Sequence, residues 1–277
     1  MSAPEGMPTS DGYGARLSAA TWQPLARLAR PPQVRPTAEG TRRLWRQLVL
    51  LNGLGIVLVV LLMAGFDATE IGMMPPRGTP SLWWVRILTD FGKDAYVLSL
   101  LAAAVVAVAL IAPLWPRASQ ARLFALGTHV QYLFLAVLVP LACTQVLKWG
   151  IGRGRPFVGG KANPFNFQPF NGTEAYFSLP SSHAVTGFAL AFAIAAVWPQ
   201  TKVPMYLYAV AIALSRLVLV AHHPSDVVAG ALVGMSGALA VRYWFAVRGL
   251  GFAIGPGGRI VPDLGRFKGV DSRASAP

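Results

Sequence analysis

The chain has 277 residues, 54% of them hydrophobic and only 13% charged, and its mean hydropathy is +0.50. A soluble domain carries about a quarter charged residues, so the composition excludes one and marks a membrane protein of one or two domains. The formal net charge of +13 would suit nucleic acid, but the cations are dispersed over loops and tails, which excludes that partner.

Residues 1–43 are polar and Pro/Gly-rich and hold Arg16, Arg27, Arg30, Arg35, Arg42 and Arg43. No apolar run follows the first methionine closely, so a cleavable signal peptide is not expected. The stretch reads as a disordered basic cytoplasmic arm. Contact with anionic lipid headgroups is the alternative.

Six apolar segments follow, at 48–66, 95–113, 123–147, 184–198, 203–221 and 227–247. Most approach the roughly 20 residues that cross a bilayer. The fourth is short. The expected fold class is all-α, a polytopic bundle of six transmembrane helices over 44–247, followed by a basic cytoplasmic tail at 248–277. Six spans put both termini on one side. With Arg117, Arg122 and Lys202, that side holds 16 Lys and Arg against 5 Asp and Glu, and the opposite side 8 against 6. The bias makes the first side the cytoplasm, so the other loops face the periplasm of a bacterial inner membrane.

Between the first two spans, residues 81–94 read SLWWVRILTDFGKD, an amphipathic stretch with paired Trp83 and Trp84. It is expected as a short interfacial helix. Asp90, Lys93 and Asp94 are secondary candidates for a substrate entrance. In the third span, His129 and Gln131 suit interhelical hydrogen bonds and Pro140 a kink. Cys143 is the single cysteine, so neither an intrachain disulfide nor a cysteine-built metal site is available.

Three clusters stand at span ends expected to face outward. KWGIGRGRP (148–156) sets Lys148, Arg153 and Arg155 among three glycines. Glycines let backbone N–H groups approach an anion and the cations neutralise it, although a loop touching headgroups would look alike. LPSSHAVTG (179–187) places Ser181 and Ser182 as N-caps before the fourth span, with His183 beside them. A helix N-terminus suits phosphate, and an ordinary cap explains the serines equally well. SRLVLVAHHPSDVVAG (215–230) buries Arg216 in an apolar run that ends in His222, His223 and Asp226. An ionisable residue at membrane depth is a functional signal, and a snorkelling arginine is its structural alternative. Three such clusters on one side, in one order, are not expected of unrelated caps.

Lys148 with Arg155-Pro156, then Pro180-Ser181-Ser182-His183, then Ser215-Arg216 with His222 and Asp226 resemble the three-part signature of the type 2 phosphatidic acid phosphatase superfamily. The resemblance covers about 48–247 and leaves out the arm and tail. Ser182 replaces the usual glycine of the second motif. The spacing selects His222 over His223, and Arg153 is an extra cation outside the motif.

The resemblance implies a hydrolase acting on a phosphomonoester or diphosphate lipid at the periplasmic face. It implies His222 as the nucleophile that forms a phosphohistidine, Asp226 as its orienting carboxylate and His183 as proton donor and then base. Lys148, Arg155 and Arg216, with Ser181 and Ser182, would bind the phosphate. No cofactor and no metal are expected: near the motifs only Asp226 and Glu174 are acidic, too few for a two-metal site. The expected partners are the lipid phosphate and the bilayer. A lipid phosphotransferase would use the same intermediate, and a non-catalytic anionic-lipid binder is the remaining alternative. Phe157, Phe165, Phe167, Phe170, Tyr176 and Phe177 suggest a loop that guides lipid inward or packs on the bundle.

Overall fold

The computed structural model describes residues 12, 14, 17, 18, 22, 26–33, 38–115, 117–160 and 162–263, the side chains of 117–121 excepted. Most of the expected arm, and positions 264–277 of the expected tail, lie outside the described residues. The described part is mostly helical. Its helices are α1 (Ala38–Gly65), α2 (Asp67–Met73), α3 (Trp83–Asp90), α4 (Asp94–Ile111), α5 (Arg117–Ile151), α6 (Ser182–Val197), α7 (Lys202–Val218) and α8 (Pro224–Val247). Five segments are long and apolar enough to cross a membrane, namely Ala38–Gly65, Pro80–Leu114, Arg122–Ile151, Pro199–Val218 and Pro224–Val247.

The fourth expected span is α6, a 16-residue apolar helix. At about 1.5 Å per residue it spans roughly 24 Å, short of a hydrocarbon core of about 30 Å. Its surroundings are protein. It packs on α5, α7 and α8, and Ala184, Val185, Ala189, Ala193 and Val197 are buried. The small residues let backbones approach. An added Cβ at Gly230 of α8 would sit 2.6 Å from the Ser181 carbonyl oxygen, and one at Gly234 would sit 2.5 Å from that of Val185. Close backbone approach through small residues is how helices associate where lipid supplies no hydrophobic drive.

The peripheral helices show the reverse pattern. Leu50, Leu54, Val57 and Leu61 of α1 are exposed, as a lipid-facing helix requires. α1 is tied to α8 by Asn52, whose Nδ2 donates to Ser236 Oγ at 2.9 Å. The helix starts ten residues before the expected span, since nothing in GTRRLWRQ breaks it. α5 runs unbroken through Pro140, against which Gly237 of α8 packs.

The stretch 81–94 divides into a short 3₁₀ turn, α3, and a bend at Phe91–Lys93 that leads into α4. Val85 and Thr89 of α3 are buried, while Trp83, Trp84 and Ile87 are exposed. At the opposite end of the bundle, β1 (Phe252–Ile254) and β2 (Ile260–Pro262) pair antiparallel. The start of the expected tail is therefore folded onto the helices. Phe252 is buried edge-on against Tyr132 at 4.7 Å, and Arg242 Nη2 donates to the Ile260 carbonyl at 2.5 Å.

Candidate active site

The three clusters meet at the end of the bundle where α1 and α5 finish and α6 and α8 begin. Each side chain is set by a helix terminus. Lys148 lies in the last turn of α5, His183 is the second residue of α6, Arg216 is in the last turn of α7, and Asp226 is in the first turn of α8. Pro224 opens α8, where its missing N–H costs nothing. The turn from Leu219 to His223 is thereby held against α8.

His222 is almost wholly buried, and its Nδ1 lies 3.6 Å from Asp226 Oδ2. That is longer than a hydrogen bond, and contacts between catalytic groups often tighten only when substrate binds. Burial lowers the His222 imidazole to about 4, with Asp226 opposing and Lys148 and Arg216 adding to the effect. The ring is thus neutral near pH 7, the form a nucleophile needs. His223 Nδ1 is nearer the same oxygen, at 3.3 Å. It is the residue before α8 and its own N–H donates to Asp226 Oδ2 at 2.9 Å, half of a capping box. Its ring is completely buried.

His183 stands within electrostatic reach of Arg216, His222, Lys148 and Arg155. Lys148 in turn is within reach of Arg155, Asp226 and Arg216. Six of the expected residues therefore occupy one electrostatic neighbourhood. Lys148 Nζ donates to the Phe177 carbonyl at 2.9 Å, which leaves two of its three protons for a ligand. Burial lowers the Arg155 guanidinium from its ordinary value, and Glu174 opposes the shift. The Nε atoms of Arg155 and Arg216 and the hydroxyl of Ser181 are buried and have no hydrogen-bond partner among the described residues.

Ser181 is the N-cap of α6 but makes no side-chain cap bond. Its own N–H donates to the Asp226 carbonyl at 3.0 Å, so α6 and α8 are joined at their starts. Ser182 is the first helical residue rather than a cap, and its carbonyl accepts the Thr186 hydroxyl at 3.0 Å. Buried polar atoms clustered among cations suit an anion with several oxygens.

Arg153 differs from the expectation. Instead of offering a free cation it is fully buried and fully engaged. Nη1 donates to Asp226 Oδ1 at 2.5 Å and to Ser225 Oγ at 2.6 Å, and Nη2 donates to Asp67 Oδ2 at 2.7 Å. Its Nε and Nη2 also reach the Pro164 carbonyl, at 3.0 Å and 2.8 Å. Arg153 pairs with Phe167 in an isolated bridge that closes the loop. Gly152 permits this, with φ +58 and the Gln168 carbonyl where a Cβ would stand.

Asp67 and Thr89 were not among the expected site residues. Asp67 opens α2 and is completely buried. Thr89 of α3 accepts from Arg216 Nη1 at 2.9 Å and from Ser215 Oγ at 3.0 Å. Asp67 had one sequence signal: it follows directly on the first apolar run, at the same end as the motifs. Of the loop aromatics, Phe157, Phe165, Phe167 and Phe170 are exposed, with Phe170 edge-on to Trp149 at 4.7 Å, while Tyr176 and Phe177 are half-buried.

Residues 129–250 match the family model of the PAP2 superfamily, so the resemblance carried by the three motifs holds across that stretch. Lipid A 1-phosphatase of Rhizobium johnstonii is 36% identical over 127 residues, 46% of this chain and 52% of that protein. Lipid A 1-phosphatase of Rhizobium etli is 35% identical over 138 residues, 48% of this chain and 60% of that protein. The chain thus spans between half and two thirds of the curated relatives it matches. No solved structure matches it.

Proposed function

We propose that this chain, which matches the PAP2 superfamily across residues 129–250, is a metal-independent membrane lipid phosphatase working through a phosphohistidine. The observation that carries the reading is the convergence of His183 and His222 with Lys148, Arg155 and Arg216 at one end of the bundle. Five helices long and apolar enough to cross a membrane, and relatives named for a lipid substrate, support a lipid phosphate over a soluble one. Lipid A bearing a 1-phosphate is the substrate those relatives favour.

In this mechanism His222 Nε2 attacks phosphorus and the bond from phosphorus to the ester oxygen breaks. Asp226 faces Nδ1, fixes the tautomer and stabilises the cation that forms on the ring. His183 gives a proton to the departing oxygen, then takes one from the water that attacks the phosphohistidine. Lys148, Arg155 and Arg216, with the Ser181 hydroxyl and the first N–H groups of α6, bind the three remaining oxygens, where charge is concentrated in the transition state. Ser182 in place of glycine keeps its N–H for that purpose.

The remainder of the topology follows from the charge distribution. α6 is a further span, the fourth in chain order, shortened because protein surrounds it. α3 lies in the headgroup layer, supported by exposed Trp83, Trp84 and Ile87. Both termini are cytoplasmic, and the site opens on the periplasmic face of the inner membrane.

The test is phosphate release by the purified protein from a panel of lipid phosphates, lipid A included, with chelator present. The parent releases phosphate from lipid A without an added acceptor, and His222→Ala does not. Release by His222→Ala at the parent rate would overturn the reading. Turnover only with a lipid acceptor would replace hydrolysis by phosphoryl transfer.

A further inference from the structure

Asp226 serves its two sides with different oxygens. Oδ2 faces His222 at 3.6 Å and accepts the Ser178 hydroxyl at 2.5 Å and the His223 N–H at 2.9 Å. Oδ1 is given to Arg153 Nη1 at 2.5 Å. Paired with Arg153 alone, Asp226 would belong to a neutral couple, and a cation developing on His222 would meet no net charge. The second carboxylate removes that neutrality. Asp67 takes the other guanidinium nitrogen at 2.7 Å, so two carboxylates share one cation and the buried trio carries one net negative charge.

Asp67 also holds the element on which Asp226 stands. Its Oδ1 accepts the Ser225 N–H at 3.0 Å, and its Oδ2 bonds the Ser225 hydroxyl. Both bonds fall in the first turn of α8, where free N–H groups and the helix dipole favour a carboxylate. Asp67 lies outside the segment that matches the superfamily, and neither Asp67 nor Arg153 belongs to the three motifs.

We propose that Asp67 and Arg153 are positioning residues for the reaction, which together aim Asp226 Oδ2 at His222 and keep one net negative charge beside that ring. The inference rests on His222 acting as the nucleophile. Neither residue touches substrate; both act through Asp226. The other charged and titratable groups around His222 are Lys148 from α5, Arg216 from α7 and His183 from α6, with Arg155 within reach of all three. His223 adjoins Asp226, and Glu70 of α2 lies within electrostatic reach of Asp67.

The experiment uses the full-length purified chain with lipid A and measures kcat, KM and the acid limb of kcat/KM. Asp67→Asn makes the trio neutral. Its kcat falls, by about tenfold or more for a misplaced catalytic contact, while KM changes little, and the acid limb moves to lower pH. Arg153→Gln leaves two carboxylates without their cation and moves the limb to higher pH. The double variant has one carboxylate again, and its limb returns toward that of the parent. Asp67→Glu keeps the charge and the parental limb.

A merely structural role moves no limb, or moves both in one direction, and either result overturns the inference. So does a loss confined to KM. Arg153→Gln gives a result of opposite sign, so the inference remains falsifiable where Asp67→Asn fails to fold. A parent without lipid phosphatase activity, or an active His222→Ala, would instead defeat the reading of the site itself.

Discussion

Arg216 of α7 is clamped by Thr89 of α3, its Nη1 donating to the threonine hydroxyl at 2.9 Å. Thr89 also accepts from Ser215, so one hydroxyl on the short helix between the first two spans orders both residues of the Ser-Arg pair. Thr89→Val keeps the shape and removes the acceptor. A hydrogen bond to a charged group is worth about 1.5–3 kcal/mol, so kcat/KM for phosphate release is expected to fall by roughly tenfold to a hundredfold. Unchanged kcat/KM would remove α3 from the function of the site.

The reason Thr89 and Asp67 escape a reading of the sequence is physical. Motif spacing reports contacts within a turn or along one helix. Lys148 and Arg155, and His222 and Asp226, lie within a few residues of one another, so their motifs are legible as spacing. The bonds from Asp67 to Arg153 and from Thr89 to Arg216 close loops of 86 and 127 positions, and no local pattern encodes them. Arg153 is visible in the sequence, but a cation in a glycine-rich loop looks free until its two carboxylates arrive from α2 and α8. The apolar runs gave the long helices within a few residues, except where polar sequence continued α1 inward. The hairpin at 252–262 was hidden by its glycines. It depends on burying Phe252 against Tyr132, a contact made by packing rather than by strand propensity.

The crossing of α6 over α8 fixes the distance between the two halves of the site, since Ser181 and Asp226 are bonded through their backbones. Gly230→Ala would place a methyl 2.6 Å from the Ser181 carbonyl. Overpacking of this kind costs about 1–3 kcal/mol, and the backbone that must move carries Ser181. The variant is expected to have a lower thermal midpoint in detergent and a lower kcat together. Gly53→Ala is the comparison, with nothing within 4 Å of the added carbon and a better helix former in place. Equal midpoints for the two variants would contradict the close packing.

The His222 ring, lowered by burial to about 4, sets a pH dependence for the free protein. A protonated imidazole has no lone pair for phosphorus. With His222 as the proposed nucleophile, activity is expected to be lost as pH falls through the folded value, with no break at the ordinary histidine value near 6.5. The kcat/KM profile, corrected for the titration of the substrate phosphate, is expected to show no His222 limb near 6.5 and to fall toward pH 4. A limb centred near 6.5 that belongs to the nucleophile would mean that the ring is hydrated.

Glu70, one turn after Asp67, is buried, and its Oε1 has no partner among the described residues. Burial raises its carboxyl to about 7, and the negative charge of Asp67 adds to the effect. In the unfolded chain the group titrates near its ordinary value of 4.5. Between 4.5 and about 7, the folded state holds a proton that the unfolded state has released. Stability from this group is thus full below the lower value and declines as pH rises through the window. Glu70→Gln holds the neutral form at every pH. Thermal unfolding in detergent, measured at intervals from pH 5 to 8, is expected to show a midpoint for the parent that declines relative to Glu70→Gln as pH rises. Parallel curves for the two proteins would show that Glu70 is ionised in the folded state and that its carboxyl is not raised.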